Sequence, residues 1–462
     1  MPTHQRRGSE APEPKAASPH AGARSRLWVA VLLVLVLGAC LLGIPDPLLA
    51  RAAMIGGAAI ILWLSEAVPT YVVTLALIAS IPLLLSGSHP EFALRPVLAW
   101  AADPVMALFF GGFSLGVAAT RYGIDELMAA RALTLSRQRQ RLMLALVMAT
   151  TAILSMWMSN IAAAAMMLAA LRPHLHRSEH TEPFRRALLI GVAMAANLGG
   201  MATPIGTGPN GIAIALLDPW SRITFPQWMV FALPLTIGMI ALGYVLIVWS
   251  HRVGGEYRAF DIQPAQLSAR GKGLVGIFFL AVTAWLTEPI HGVSAPVVAV
   301  AAAALLFGGG WLGREDLGRI DWSTLFLIAG GLVLGQLVER SGLMTTASAS
   351  LHLDQVPVLA RSAALVFLAA LMGALMSNTA SAAMLIPLAL DLGPPRSIAV
   401  LIAIGTAFGV PFVISTPPNA MAYGQGGLAG RDLLRVGLPI MIVGSLLVGL
   451  TGPIFLRWIG LP

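Results

Sequence analysis

The chain has 462 residues, of which 57% are hydrophobic and only 11% charged. A soluble domain carries about 25% charged residues, so the bilayer rather than water is the expected solvent. The net charge of +8 does not point to nucleic acid, because the basic residues are scattered in short loops between apolar runs, where they set membrane orientation. The single cysteine, Cys40, excludes an internal disulfide and a cysteine-based metal centre.

Residues 1–26 are hydrophilic, rich in Pro, Ala and Ser, and are expected to be a disordered cytoplasmic N-terminus. The apolar run that follows is expected to be an uncleaved first transmembrane helix (residues 27–50 with its exit loop) rather than a signal peptide, because the preceding segment is long and many spans follow. Further spans are predicted near 51–66, 69–86, 104–120, 187–217, 228–250, 273–287, 293–309, 322–338, 397–421 and 434–457. Apolar stretches near 20 residues match the roughly 30 Å hydrocarbon thickness. Two segments, 142–171 and 362–391, are too long for one span and too short for two, and each has polar residues at its middle. Each is therefore predicted to be a re-entrant helical hairpin, tolerated at membrane depth only inside protein or beside a water-filled cavity.

With the N-terminus inside, 22 of the 29 Lys and Arg fall in cytoplasmic segments. That bias supports the span count and a multi-pass chain in a bacterial-type plasma (inner) membrane.

Four landmarks recur in the same order. Trp63-Leu64-Ser65-Glu66 returns as Trp285-Leu286-Thr287-Glu288, and the glycine pair Gly111-Gly112 returns as Gly330-Gly331. Met158-Ser159-Asn160 returns as Met376-Ser377-Asn378, and Thr207-Gly208-Pro209-Asn210 returns as Thr416-Pro417-Pro418-Asn419. Five crossings and one hairpin separate the first pair, so the second copy is upside down. The expectation is an all-α polytopic membrane protein of about eleven transmembrane helices and two re-entrant hairpins, arranged as inverted repeats over 51–272 and 273–462. Taken singly, a Ser-Asn pair in an apolar helix is more often interhelical glue, and Thr-Pro-Pro-Asn is an ordinary loop signal. Duplication at matching positions reverses both readings. Asp103 before Pro104 is expected to be a helix N-cap, Glu66 and Glu288 structural, and the glycine pairs close helix contacts.

The segments 142–171, 187–217, 363–390 and 397–421 contain no Lys, Arg, His, Asp or Glu. A membrane-embedded enzyme and a proton-coupled carrier both need titratable groups there, so neither is expected. What remains is Ser, Thr, Asn, Gly and Pro at predicted helix breaks. Half-helix N-termini favour anions, while free carbonyls and amide oxygens suit sodium. Bound cations then supply the counter-charge that basic side chains do not.

These residues resemble the divalent-anion/sodium symporter family of the ion-transporter superfamily. The resemblance runs over residues 50–457. It rests on Trp-Leu-Ser-Glu-Ala-Val-Pro at 63–69, Gly-Gly-x-x-Thr-Pro-Ile-Gly-Thr at 199–207, Ser377-Asn378-Thr379 and Thr416-Pro417-Pro418-Asn419. It implies sodium-coupled symport of a small divalent anion, such as the dicarboxylate succinate, by an elevator motion in a homodimer with a scaffold and a mobile transport domain. No cofactor is implied beyond sodium as coupling ion. By position, the substrate would meet Ser159, Asn160, Thr207, Ser377, Asn378, Thr379 and Pro417. One sodium would use Ser155, Ser159, Asn160 and Gly206, and the other Gly373, Ser377, Asn378 and Ser415. Two residues depart from the family: Ile161 stands in place of Thr at the first hairpin tip, and Gly208 in place of proline. The alternatives are symport of sulfate or another oxyanion, and sodium-independent anion exchange.

Overall fold

The computed structural model describes residues 19–175, 182–217, 223–256, 266–343, 346, 356–390 and 395–460. Residues 1–18, which hold most of the segment expected to be disordered, lie outside that set. Among the described residues the regular elements are all helices, apart from a single isolated bridge between Arg139 and Glu256. Among the described residues seven helices are long and apolar enough to cross a membrane, and shorter apolar ones such as Thr70–Leu85 and Ala295–Gly308 accompany them.

Helix starts follow local chemistry. Asp46 accepts from the Leu48 and Leu49 N–H groups ahead of helix Pro47–Ser65, and Asp103 accepts from Val105 N at 2.8 Å ahead of Pro104–Arg121. Thr224 and Gln227 form a capping box at the head of Phe225–Ser250. In each case proline occupies one of the first two helical positions, where its missing N–H costs nothing.

Burial sorts the helices into layers. Every residue from Ala187 to Gly199 is buried, so this helix, small and apolar on all sides, runs through the centre. Helix Phe225–Ser250 buries only a third of its most apolar window and presents the rest outward, as a lipid-facing helix does.

The halves interlock by exchanged contacts. Helix Pro104–Arg121 packs on Ala295–Gly308, and helix Trp322–Arg340 packs on Thr70–Leu85. The glycine pairs make this possible: a Cβ on Gly111 would lie 2.3 Å from Ala299 O, and one on Gly330 would lie 2.3 Å from Thr74 Oγ1. Helix Glu182–Gly199 likewise packs on Pro417–Gly424, while Pro395–Thr406 packs on Gly208–Ala215.

Several sequence-based limits shift. The first helix begins at Pro19, before the apolar run and inside the stretch expected to be disordered. The predicted spans 187–217 and 397–421 are each two helices, Glu182–Gly199 with Gly208–Ala215 and Pro395–Thr406 with Pro417–Gly424, because glycine and proline interrupt the ladder. Two short helices, Leu94–Ala101 and Ile124–Leu135, were not anticipated, since neither carries a membrane-length apolar run.

Candidate functional site

The segments at 142–171 and 362–391 fold as helix–turn–helix units. Gln140–Ser155 turns at Met156–Ser159 into Asn160–Leu175, and Val358–Leu375 turns at Met376–Ser377 into Asn378–Ala389. Ser159 Oγ accepts from Ala162 N at 3.2 Å, capping the returning helix.

Beside the turns lie the two helix breaks. Unwound backbone at membrane depth must have its polar groups satisfied by protein, and here asparagines do so. Asn210 Nδ2 donates to Gly200 O (3.1 Å) and Thr203 O (2.8 Å), and Asn419 Nδ2 donates to Val410 O (2.9 Å) and Phe412 O (2.8 Å). Asn197 Nδ2 donates to Asn419 Oδ1 at 3.0 Å, tying one broken helix to the other. These three asparagines were not among the residues assigned to the site. The signal was present: Asn210 and Asn419 recur, and Asn197 is the one polar residue in the buried run 187–199.

The two turns and the two breaks enclose a cavity of about 480 Å³. All seven residues named for the anion line it: Ser159, Asn160, Thr207, Ser377, Asn378, Thr379 and Pro417. Of those named for sodium, Gly206 and Ser415 also line it, while Ser155 and Gly373 lie a layer behind. Ser155 Oγ donates to Asn160 Oδ1 (2.7 Å) or Ala196 O (2.6 Å). A Cβ on Gly200 would lie 2.3 Å from Asn160 Oδ1 and 3.0 Å from Gly206 O, so only glycine leaves the space between these oxygens clear. In the other half, the Cβ position of Gly373 lies 2.7 Å from Thr406 O and 2.8 Å from Asn378 Oδ1. Asn378 Oδ1 is buried and has no hydrogen-bond partner. Neutral oxygens converging in this way suit a hard monovalent cation. Among the described residues no group of three or more His, Cys, Asp or Glu stands ready for a transition metal.

The cavity lining includes two carboxylates, Glu66 and Asp321, and no basic side chain among the described residues, while Arg319 lines a smaller space that adjoins it at Phe113, Ser159 and Asp321. Asp321 is committed to Thr324, accepting from its N–H (3.0 Å) and its hydroxyl (2.7 Å). Glu66, expected to be structural, is exposed at the cavity. At the opposite end their repeat counterparts, Asp103 and Glu288, line a much smaller space of about 90 Å³.

A family model described as citrate transporter matches residues 60–404. The chain belongs to the citrate transporter family. This places it with the divalent-anion/sodium symporter type that the motifs resemble, and makes it a membrane transporter rather than an enzyme. An uncharacterized transporter of Haemophilus influenzae is 29% identical over 86% of this chain and 89% of its own length. The sodium-dependent dicarboxylate transporter SdcS of Staphylococcus saprophyticus is 26% identical over 84% of this chain and 82% of its own. The inorganic phosphate transporter PHO87 of Saccharomyces cerevisiae is 27% identical over 87% of this chain, which spans 46% of that protein. Among solved structures, the YdaH transporter of Alcanivorax borkumensis shares the fold, with a TM-score of 0.56 at 15% identity, covering 83% of this chain and 96% of that one.

Proposed function

We propose that this transporter family member is a secondary carrier that couples inward sodium movement to uptake of a small anion. The observation that carries the reading is the cavity itself. Two hairpin tips and two helix breaks supply hydroxyls, amides and half-helix N-termini to one space, while no cationic side chain lines it. An anion drawn from water into such a space costs several kcal/mol unless counter-charge accompanies it. Asn378 Oδ1 with Thr406 O, and Asn160 Oδ1 with Gly206 O, are the oxygen sets we assign to sodium. Ser155 and Gly373 act behind them, Ser155 through its bond to Asn160 and Gly373 by leaving room. The anion is assigned to the hydroxyl, amide and helix-end groups facing the cavity.

The helices joined at the glycine pairs, Pro104–Arg121 with Ala295–Gly308 and Trp322–Arg340 with Thr70–Leu85, act as scaffold, and the hairpins with the broken helices as the part that moves, in a homodimer. With the N-terminus cytoplasmic, the end bearing Glu66 and Asp321 faces the cytoplasm, so this conformation is open inward. Likeness to a dicarboxylate carrier supports the sodium-coupled dicarboxylate reading. Likeness to a phosphate carrier favours the second reading, an inorganic oxyanion.

Uptake of labelled succinate, sulfate and phosphate into proteoliposomes, under inward sodium or potassium gradients, tests the coupling. We expect uptake in sodium only, lost in Asn160→Ala and Asn378→Ala. Equal uptake in both salts, stimulated by internal anion, would make the protein an exchanger and remove sodium from the account.

A further inference from the structure

The two poles of the cavity differ in their donors. Thr379 holds the place in the second hairpin that Ile161 holds in the first, and Gly208 holds the place in one broken helix that Pro417 holds in the other. Thr379 lies directly over the first turn of helix Gly208–Ala215: a Cβ on Gly208 would be 2.6 Å from Thr379 Oγ1 and 2.5 Å from its methyl. Gly208 keeps a backbone N–H there. Thr207 makes no side-chain capping bond, and neither does Ser377. The hydroxyls of Thr207, Ser377 and Thr379 thus line the cavity beside a helix N-terminus, with the first two accepting no capping bond.

The other pole is poorer. Ile161 brings no hydroxyl, and Pro417 and Pro418 bring no N–H. Thr416 Oγ1 and Ser159 Oγ each cap their own helix, accepting from Asn419 N at 3.4 Å and Ala162 N at 3.2 Å, and their O–H groups are the hydroxyl donors left here. Ile161 is 45% exposed and Ile414 is 80% exposed, and both line the cavity, whereas Ile205, the repeat counterpart of Ile414, is 2% exposed. One pole is dressed for an oxyanion and the other for an uncharged group.

We propose that the site takes an anion with a single oxyanion head, seated by Thr207, Gly208, Ser377 and Thr379, and that the Ile161 and Ile414 pole takes no second charged group, only an uncharged tail where the anion has one. Gly208 and Ile161 are the residues that set this preference. The inference rests on the cavity being the anion site, and it narrows the substrate class. A symmetrical dicarboxylate would bring its second carboxylate to the Ile161 pole, where lost hydration is not replaced by matched donors. A proline at 208 would both remove an N–H and collide with Thr379. The single head has two chemical sources, a short monocarboxylate or an inorganic oxyanion.

Equilibrium binding of butyrate, inorganic phosphate and succinate to the purified full chain in sodium chloride tests this. Butyrate and succinate have four carbons each and differ in a methyl against a carboxylate at one end. We expect butyrate or phosphate to bind at least about 10-fold more tightly than succinate. Butyrate ahead of phosphate assigns the head to a carboxylate, and the reverse assigns it to an inorganic oxyanion. Ile161→Thr is expected to narrow the gap to succinate by about 10-fold. Thr379→Val, which keeps the side-chain shape, is expected to lose the one-headed ligand while leaving the unfolding temperature unchanged. Gly208→Pro is expected to lose the same ligand. Succinate binding as well as the others, with a ratio that Ile161→Thr does not move, overturns the inference and leaves the transport reading standing. Failure of all three to bind in either sodium or potassium overturns the anion-site reading, and this inference with it.

Discussion

The two ends of the binding region are built from the same landmarks and stand in different states. At one end Glu66, Asp321 and Thr324 border an open cavity. At the other Asp103, Thr224 and Glu288 border a remnant, and Glu288 Oε2 accepts from Phe225 N at 3.3 Å. The closed end adds a stack of near-parallel rings. Phe225 and Trp285 have centroids 5.0 Å apart, and Trp157, at the first hairpin tip, is 6.2 Å from each. The stack joins a hairpin tip, the head of a lipid-facing helix and the end of helix Ala269–Leu286. At the open end the landmark spacing sets Leu375 where Trp157 stands and Trp63 where Trp285 stands, so the stack has no counterpart there. A duplicated frame permits either end to close, and the side chains that differ between copies weight one closure over the other.

Breaking the stack is expected to have the largest effect. Trp157→Ala removes three aromatic contacts, two stacked and one edge-on with Phe278 at 5.4 Å, worth about 0.5–1.5 kcal/mol each. The closed end should therefore open roughly 10- to 2,000-fold more often. In a Cys40→Ser background, a cysteine placed at Ile223, now buried at the closed end, reports this as faster labelling by a thiol reagent that does not cross membranes. Labelling no faster than in the parent would show that the rings seal nothing.

Glu288→Ala is expected to act in the same direction by less. It removes one acceptor at a helix N-terminus, worth about 0.3–1 kcal/mol. Glu66→Ala is the control that sharpens the comparison: Glu66 is exposed in this state, so Ile223 labelling should not change. An equal response in both variants would mean that the ends are not distinguished by this contact.

The two oxygen sets proposed for sodium differ in a related way. Ser155 supplies Asn160 Oδ1 with a donor, while Gly373, in the corresponding place, leaves Asn378 Oδ1 without one. Gly373→Ser should crowd the second set, because its Cβ would lie 2.7 Å from Thr406 O and 2.8 Å from Asn378 Oδ1. We expect weaker sodium activation of anion uptake, by about 10-fold in half-saturating sodium, with anion affinity at saturating sodium little changed. Unchanged sodium dependence would remove Asn378 and Thr406 from the cation path.

The smallest effect lies away from the site. Asp125, in helix Ile124–Leu135, is buried with Oδ2 unpartnered, and burial raises its carboxyl above the usual 3.8. A raised folded-state value means that the native chain holds this proton more tightly than the unfolded chain. Its contribution is therefore lost as pH rises from the ordinary carboxylate range through the folded value. Asp125→Asn is expected to stabilise the protein at neutral pH by on the order of 1 kcal/mol, and to flatten the acid side of the profile. Thermal unfolding from pH 4 to 7 measures both.

Much of this was legible in one dimension. A charge-poor composition with regular apolar runs fixes the solvent, because the hydrocarbon core admits only backbone that satisfies its own hydrogen bonds. Ordered recurrence of four short motifs marked the duplication, and the polar centres of two over-long apolar segments marked the hairpins. The seven residues placed at the anion site on resemblance do line one cavity, since hairpin tips and helix breaks are both local, sequence-encoded interruptions. Pairing across the repeats was not legible. That Asn197 binds Asn419, that Gly208 lies under Thr379, and that Trp157 meets Phe225 and Trp285 are contacts between segments separated by tens to hundreds of residues. No local propensity encodes such contacts. They arise when close packing brings interruptions of distant helices to one depth, and that packing alone decides which end of a nearly symmetrical frame is open.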